Sequence, residues 1–318
     1  MRKAPKIILI AAAALIGTGT LLSCGAWAAA GFETARLSTV DYNWNQTVRA
    51  LEDEADAPHR RIVVTSEFEN VRIEPAEGDA IELEYWTGTS QDVSVEDTDG
   101  VLKIDVDSKP MEGVIVDLSP SEAGGVDDTT TVVRVPASFT GEIEVHSDSG
   151  EVFAENVHGL AGLRASNSNG DVVARNVSAA ELDAINENGD TLLSGVEADA
   201  ILATNFNGDI SLGGATAREA KVVNESGDIM LVNMSLKSAL TCNSVNGDIS
   251  AQRLDVVTSS VENVNGDIYL SYLGDESVYR IDAHSNLGDV DAPHGGGADR
   301  AIDVDSSLGD IQINFTSK

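Results

Sequence analysis

Apolar and polar residues alternate through the second half of the chain, on both sides of a glycine that an acidic residue follows. Apolar residues stand five positions before this glycine and two, four and seven positions after it, the last column running from Val157 to Leu273. Successive glycines are 19 to 22 residues apart, and they are Gly150, Gly170, Gly189, Gly208, Gly227, Gly247, Gly266, Gly288 and Gly309. Alternation with a period of two predicts strands, and columns that recur at one spacing predict a shared interior.

The repeat is too short for a strand, a helix and a second strand, which together need about 30 residues. Strands of successive repeats must therefore stack directly and in parallel. The sequence predicts an all-β, single-stranded parallel β-solenoid, β-helix-like, with coils of about 20 residues over 141–318. Residues 59–140 alternate without the registered glycine, which predicts irregular N-terminal β coils and a cap. Residues 24–58 are predicted to be a spacer with a short helix around Val48 to Asp56.

A polar residue stands three positions before every glycine, and its parity places it inside the coil. The asparagines of this column are predicted to form a structural ladder in which stacked amides bond from coil to coil. They are Asn167, Asn186, Asn205, Asn224 and Asn263.

The acids that follow the glycines predict a row of carboxylates at strand spacing. Such a row opposes folding unless the charges are solvated, splayed by the turn or bridged by cations. Calcium, which prefers oxygen ligands, fits between neighbouring corners, and the candidate ligands are Asp171, Asp190, Asp209, Asp228, Asp248 and Asp267. The alternative is that each aspartate hydrogen-bonds its own turn. No other cofactor is expected.

The N-terminus has the pattern of an export signal. Basic residues precede an apolar run from Ile7 to Ile16, and Leu21 to Gly25 resembles a bacterial lipobox. We expect a signal peptide over 1–23 and lipidation of Cys24, which would tether the protein to the periplasmic or outer face of a membrane. Ordinary signal cleavage after Ala28 or Ala30, or a retained anchor, are the alternatives.

The net charge of −33 restricts the partners. A surface this acidic repels nucleic acid, so no nucleic-acid partner is expected. It also suits a saline habitat. With only Cys24 and Cys242 present, the sequence contains no disulfide framework, and Cys242 is predicted to be a small buried hydrophobe.

The chain resembles the bacterial "putative adhesin" domains of the DUF4097 type. The likeness rests on Val133-Arg134-Val135-Pro136, on Ile143 to Val152, and on the succession of Asn-Gly-Asp-Ile turns, and it covers about Ile62 to Ile313. The resemblance implies a β-solenoid at the cell envelope. It brings no ligand and no catalytic residues.

Two functions remain open. The outward positions four before each glycine contain no paired carboxylates or basic cluster, and the five histidines have no zinc spacing. The leading hypothesis is therefore a non-catalytic, lipid-anchored scaffold for interaction or adhesion, with an envelope protein or a glycan as its partner. The alternative is an envelope polysaccharide-active enzyme of β-helical fold, a lyase or hydrolase. A strand edge at Asp310 to Phe315 also predicts end-to-end self-association.

Overall fold

The computed structural model describes residues 45–51, 58–88, 91–108 and 130–317. Nearly all of them belong to one compact unit, Gln46–Thr87, Gln91–Ser108 and Thr129–Lys318. The predicted signal peptide, Cys24 and the greater part of the spacer lie outside the described residues. Within the described ranges, no helix is long and apolar enough to cross a membrane.

The described chain is a parallel β-solenoid with a single 3₁₀ turn at Glu276–Val278. The strands are β1 Asn45–Leu51, β2 Arg61–Ser66, β3 Asn70–Pro75, β4 Ile81–Thr87, β5 Gln91–Thr98, β6 Val101–Ser108, β7 Thr130–Val135, β8 Glu142–Ser147, β9 Val152–Glu155, β10 Leu160–Asn167, β11 Val172–Arg175, β12 Ser178–Asn188, β13 Thr191–Ser194, β14 Glu197–Asn207, β15 Ile210–Gly213, β16 Thr216–Ser226, β17 Ile229–Val232, β18 Ser235–Asn246, β19 Ile249–Asn265, β20 Ile268–Leu273, β21 Tyr279–Ser285, β22 Val290–Asp291, β23 Arg300–Leu308 and β24 Ile311–Thr316. The predicted fold class is confirmed.

Each regular coil contributes one strand before its glycine and one after it. The strands before the glycines stack as an upstream sheet, and those after the glycines stack as a downstream sheet. Equivalent residues pair in register, as when Ala184 faces both Ala165 and Ala203. The apolar columns are buried between the sheets, with Ile210, Leu212 and Val222 at 0% exposure. Stacking supplies the burial that a lone coil lacks.

The return corner has a residue with a left-handed backbone in six successive coils, and it is asparagine or glycine in all but the last, where Arg253 has φ of 58°. Asn156, Asn176 and Asn233 have φ of 58°, 52° and 56°, and Gly195 and Gly214 occupy the same position in their coils. Asparagine and glycine adopt this conformation at the lowest cost. The chain therefore turns once per coil at this point and enters the next upstream strand.

The N-terminal end is stacked out of chain order. In the upstream sheet β2 lies between β6 and β8, and in the downstream sheet β3 lies between β7 and β9. Beyond them, β5 pairs antiparallel with β6 and β4 pairs antiparallel with β7. Antiparallel strands thus end the parallel stack on this side.

The C-terminal end is also out of order, and the predicted edge at Asp310 to Phe315 is covered only in part, because β22 pairs with Ile311 and Gln312 alone. Strand β23 lies between β19 and β21, and β24 lies between β20 and β22. Arg300 holds this arrangement, because its Nη1 lies 2.8 Å from Asp255 Oδ1 and 2.8 Å from the Tyr279 hydroxyl. The outermost layer is therefore β21–β22, with the outer edge of β24 unpaired by a strand beyond Gln312 in the described chain, and end-to-end self-association at this side stays a prediction.

Two local predictions were wrong. The buried column that Leu254 occupies, seven after its glycine, continues in the next coil at Tyr272, six after Gly266, and not at Leu273. The shift arises because the register of β19 is irregular between Ala251 and Leu254, so that Leu254 pairs with Tyr272. The short helix expected from Val48 is replaced as far as Leu51 by β1, which pairs with β4. Pairing with a neighbouring strand outweighs the local helical preference there.

Candidate functional site

The glycine corners bring successive coils into close contact. At Gly227, φ is +129°, and a Cβ would lie 2.2 Å from the carbonyl oxygen of Gly208. Gly189, Gly208, Gly247 and Gly266 are constrained in the same way. Only glycine fits a corner with this backbone and this spacing.

The inward asparagines bind these corners together. The side-chain amide of Asn205 donates to the carbonyl of Gly189 at 2.7 Å, and that of Asn224 donates to Gly208 at 3.0 Å. Asn167, Asn186 and Asn263 make the same bond to the glycine of the preceding coil. The bonds thus run to main-chain carbonyls rather than from amide to amide. The Oδ1 atoms of Asn186, Asn205, Asn224 and Asn263 are buried and accept no hydrogen bond within the described chain.

A second ladder, which sequence reasoning missed, occupies the exposed position just before glycine. The amide of Asn207 donates to Oδ1 of Asn188 at 3.0 Å, and that of Asn265 donates to Asn246 at 2.9 Å. Ser226 interrupts the ladder between them. The sequence does contain a sign of this second ladder. It is the Asn of the repeated Asn-Gly-Asp motif, which the alternation of inward and outward residues places outside the coil.

The acids after glycine accept main-chain hydrogen bonds from the neighbouring coil. The N–H of Asp209 donates to Oδ1 of Asp190 at 2.9 Å, and the N–H of Asp228 donates to Oδ1 of Asp209 at 2.8 Å. Asp171, Asp248 and Asp267 accept in the same way. A backbone N–H next to each carboxylate offsets part of the repulsion along the row.

Calcium binding by this row stays a prediction. Each of the six predicted ligands has one oxygen engaged by a backbone N–H. The second oxygen of Asp267 accepts from the Tyr269 hydroxyl at 3.0 Å, and the other five aspartates keep a second oxygen for a cation. Across the described ranges, no three His, Cys, Asp or Glu side chains are grouped as metal ligands. A cation would therefore have to complete its shell with carbonyl oxygens or water.

A groove runs along the outer face of the downstream sheet, beside the acidic row. Its volume is about 450 Å³. Asp171, Asp190, Asp209 and Asp228 line one side, and Val173, Leu192 and Met230 contribute apolar side chains. We call it the acidic–apolar groove. The side chain of Met230 is 52% exposed, because it points outward from β17.

A polar pocket of about 230 Å³ lies on the outer face of the upstream sheet. Gly162 forms its floor, since β10 pairs Gly162 with Glu142 on one side and Glu181 on the other. Its charged walls are Arg61, Glu142, Glu144, Arg164, Glu181 and Asp183. Arg61 forms an ion pair with Glu144. The column four before glycine gives no signal for this cluster, because its side chains stand at other positions along strands β2, β8, β10 and β12.

The Toastrack DUF4097 family matches residues 59–314, which is most of the chain. The chain belongs to the DUF4097 family. No functionally curated protein matches it at a significant level.

Solved structures resembling this DUF4097 chain cover most of its length at low identity. A "putative lipid binding protein" from Parabacteroides distasonis is 14% identical, covers 87% of this chain and 99% of its own, and has a TM-score of 0.49. A "putative adhesin" from the same organism is 15% identical, with 87% and 98% coverage and a TM-score of 0.48. A "putative adhesin" from Parabacteroides merdae is 11% identical, with 87% and 97% coverage and a TM-score of 0.46.

The DUF4097 match begins after the predicted lipidation site. Cys24 precedes residue 59 and lies outside the described residues, so its lipidation stays a prediction. The predicted aspartates and asparagines, by contrast, lie on one corner of the solenoid, where they hold neighbouring coils in register.

Proposed function

We propose that this DUF4097 chain is a non-catalytic interaction scaffold of the cell envelope, exported by residues 1–23 and tethered through lipid on Cys24. The observation that carries the proposal is the acidic–apolar groove. It is built on strands whose register is fixed by main-chain and side-chain bonds at every corner, so its side chains are presented on a rigid surface.

The charges of the groove are open to a partner. Within the described chain, Asp171, Asp190, Asp209 and Asp228 form no ion pair, whereas Arg175 at one end is paired with Glu155 at 2.8 Å. Carboxylates held at fixed spacing beside the exposed Met230 and the partly buried Leu192 complement basic and apolar groups in alternation. The occupant is therefore an extended basic and apolar segment of an envelope protein.

Binding of defined probes to the soluble chain with Cys24→Ser tests the scaffold. We expect saturable binding of a peptide that alternates lysine and leucine, with an affinity that falls as salt rises. A peptide that alternates glutamate and leucine should not bind. The measurement is biolayer interferometry at two salt concentrations.

Matched variants locate the site. Met230→Lys places a cation in the groove and should lower the affinity for the lysine peptide roughly tenfold, because it repels the ligand and loses apolar contact. Val245→Lys makes the same change at a residue that is 42% exposed but outside the groove, and it should have little effect. Equal losses in both variants, or no saturable binding, would overturn the assignment of the groove.

Tethering has its own test in cells. Mass spectrometry of the mature N-terminus should show a lipid-modified Cys24, and Cys24→Ser should release the protein from the membrane fraction. Recovery of an N-terminus beyond residue 26 would contradict the anchor and leave the groove proposal standing.

The polar pocket favours a second candidate, the polysaccharide-active enzyme. Glu181 and Asp183 stand beside Arg164, and none of the three forms an ion pair within the described part of the chain, so their charges are available to a sugar ligand. Acids placed with arginine on an outer face suit glycosidic cleavage. Release of reducing or unsaturated ends from envelope polysaccharide that Asp183→Asn abolishes, while Asp199→Asn does not, would favour the enzyme over the scaffold.

A further inference from the structure

Five Asn-Gly-Asp turns in this chain have the same three residues but different main-chain hydrogen bonds. The turns are Asn169-Gly170, Asn188-Gly189, Asn207-Gly208, Asn246-Gly247 and Asn265-Gly266, each followed by aspartate. Asparagine before glycine is the pair most prone to spontaneous deamidation, because glycine leaves the backbone nitrogen unhindered. The chain thus contains a set of matched sites that differ mainly in their folded surroundings.

Four of the glycine nitrogens are held by the neighbouring coil. The N–H of Gly189 donates to the carbonyl of Asn207 at 3.0 Å, and that of Gly208 donates to Ser226 at 2.9 Å. Gly247 and Gly266 donate in the same way at 3.0 and 3.1 Å. Each nitrogen is directed at a carbonyl in the ladder, so local opening must come before any attack on the adjacent side chain.

Gly170 is the exception. Within the described residues its N–H has no hydrogen-bond acceptor, and it lacks the positive φ of the four other glycines. The adjoining coil turns through Ser149 and Gly150, where Gly150 donates to the side chain of Ser147. The Asn169 turn therefore lies at the boundary between this different corner and the regular ones, and its side chain is exposed.

We propose that Asn169 is a site of spontaneous deamidation in the folded protein, and that the stacked coils protect the other four Asn-Gly pairs. The backbone nitrogen of Gly170 attacks Cγ of Asn169. The N–Cγ bond forms, the Cγ–Nδ2 bond breaks, and the amide proton leaves with Nδ2 as ammonia. One water molecule then opens the succinimide to aspartate or isoaspartate, and no oxidant or enzyme is required.

The modification changes the corner on which the acidic row lies. The Asn169 amide donates to the carbonyl of Asp148 at 2.9 Å, and this donor is lost. A carboxylate appears two residues before Asp171, and isoaspartate also lengthens the backbone of the turn. Deamidation thus adds negative charge and loosens one coil contact at the start of the regular stack.

Peptide mapping by mass spectrometry tests the proposal on the purified, folded chain during incubation in mildly alkaline buffer. We expect Asn169 to deamidate roughly tenfold or more faster than each of the other four, since their nitrogens react only after local opening. In concentrated urea the five rates should converge, because the asparagine and the two residues after it are the same at every site.

Two controls test whether the missing hydrogen bond at Gly170 is the cause of the fast reaction. Asn169→Gln should remove the fast event and leave the four slow rates unchanged, with the fold checked by circular dichroism. Hydrogen exchange should be faster at the Gly170 amide than at the Gly189 amide. Equal native rates at all five sites, or a fast Asn169 that stays equally fast relative to the others in urea, would overturn protection by the stack.

Discussion

The backbone N–H of Asp310 donates to Oδ1 of Asp267 at 2.8 Å, although 43 residues separate them in the chain. The N–H of Asp289 in turn donates to Oδ1 of Asp310 at 2.8 Å. The acidic row therefore continues without a break while the chain order does not. The last coil of the sequence is an internal layer of the stack, and the segment before it forms the outer layer.

Ile302 and Ile281 test this order by stability. Ile302 lies on the inserted coil at 0% exposure, while Ile281, its direct partner in the register, lies on the outermost coil and is partly exposed. We expect Ile302→Ala to lower the free energy of unfolding by about 2–5 kcal/mol, because the cavity is enclosed on both sides. Ile281→Ala should cost less, since its site is open to solvent. Urea denaturation measures both, and a larger loss for Ile281→Ala would contradict the insertion.

Gly227 and Gly213 form a matched pair for the corner. A Cβ at Gly227 would overlap the Gly208 carbonyl oxygen at 2.2 Å, whereas none of the atoms near Gly213 lies within 4 Å of its Cβ position. Gly227→Ala should cost about 3 kcal/mol or more from backbone strain and steric overlap. Gly213→Ala should change stability by no more than about 1 kcal/mol. Thermal unfolding compares them, and a similar loss at both positions would exclude the close approach of coils as the reason for glycine.

The regular coils could be predicted because one physical requirement recurs at every repeat. Ile229 two after glycine and Leu231 four after glycine are buried for the same reason as their counterparts in neighbouring coils, so the columns alone indicate the interior. The order of coils at the ends has no such signal. Val304 fits the same column whether its coil is internal or terminal, and only contacts across the stack, such as Arg300 with Asp255, distinguish the two.

The candidate site was predictable to a lesser degree. Parity placed Asn205 inside the corner, but it did not reveal that the amide donates to a carbonyl of the preceding coil. The polar pocket escaped because Glu144, Arg164 and Asp183 come from three coils and do not form a motif along the chain. Side chains of mixed charge at one column look like ordinary solvated residues until the register brings them together.

Asn205 and Asn207 compare the inner and outer ladders. Asn205 is 1% exposed and donates to the Gly189 carbonyl, while Asn207 is exposed and donates to Asn188. Asn205→Ala should lower the free energy of unfolding by about 1–3 kcal/mol, because the partly buried Gly189 carbonyl loses its donor. Asn207→Ala should cost about 0.5 kcal/mol or less, since water replaces the lost partner. Equal effects in chemical denaturation would show that burial does not distinguish the ladders.

Cys242 supplies a prediction about pH. Burial raises the pKa of its thiol to about 12, because the thiolate is disfavoured in an apolar interior. In the unfolded chain the thiol ionises near its ordinary pKa of about 8.5, so the folded state retains a proton that the unfolded state releases. By linkage, this group makes the protein less stable as pH rises above about 8.5.

The variant Cys242→Ala isolates this contribution. The difference in unfolding free energy between the protein and Cys242→Ala should be constant below about pH 8 and should shift against the protein by about 1.4 kcal/mol per pH unit well above the unfolded pKa. Both chains should also carry Cys24→Ser, so that Cys242 is the only thiol. In the native protein Cys242 should resist iodoacetamide, and it should react on unfolding. Rapid alkylation of the folded chain, or a free-energy difference that does not depend on pH, would contradict the buried neutral thiol.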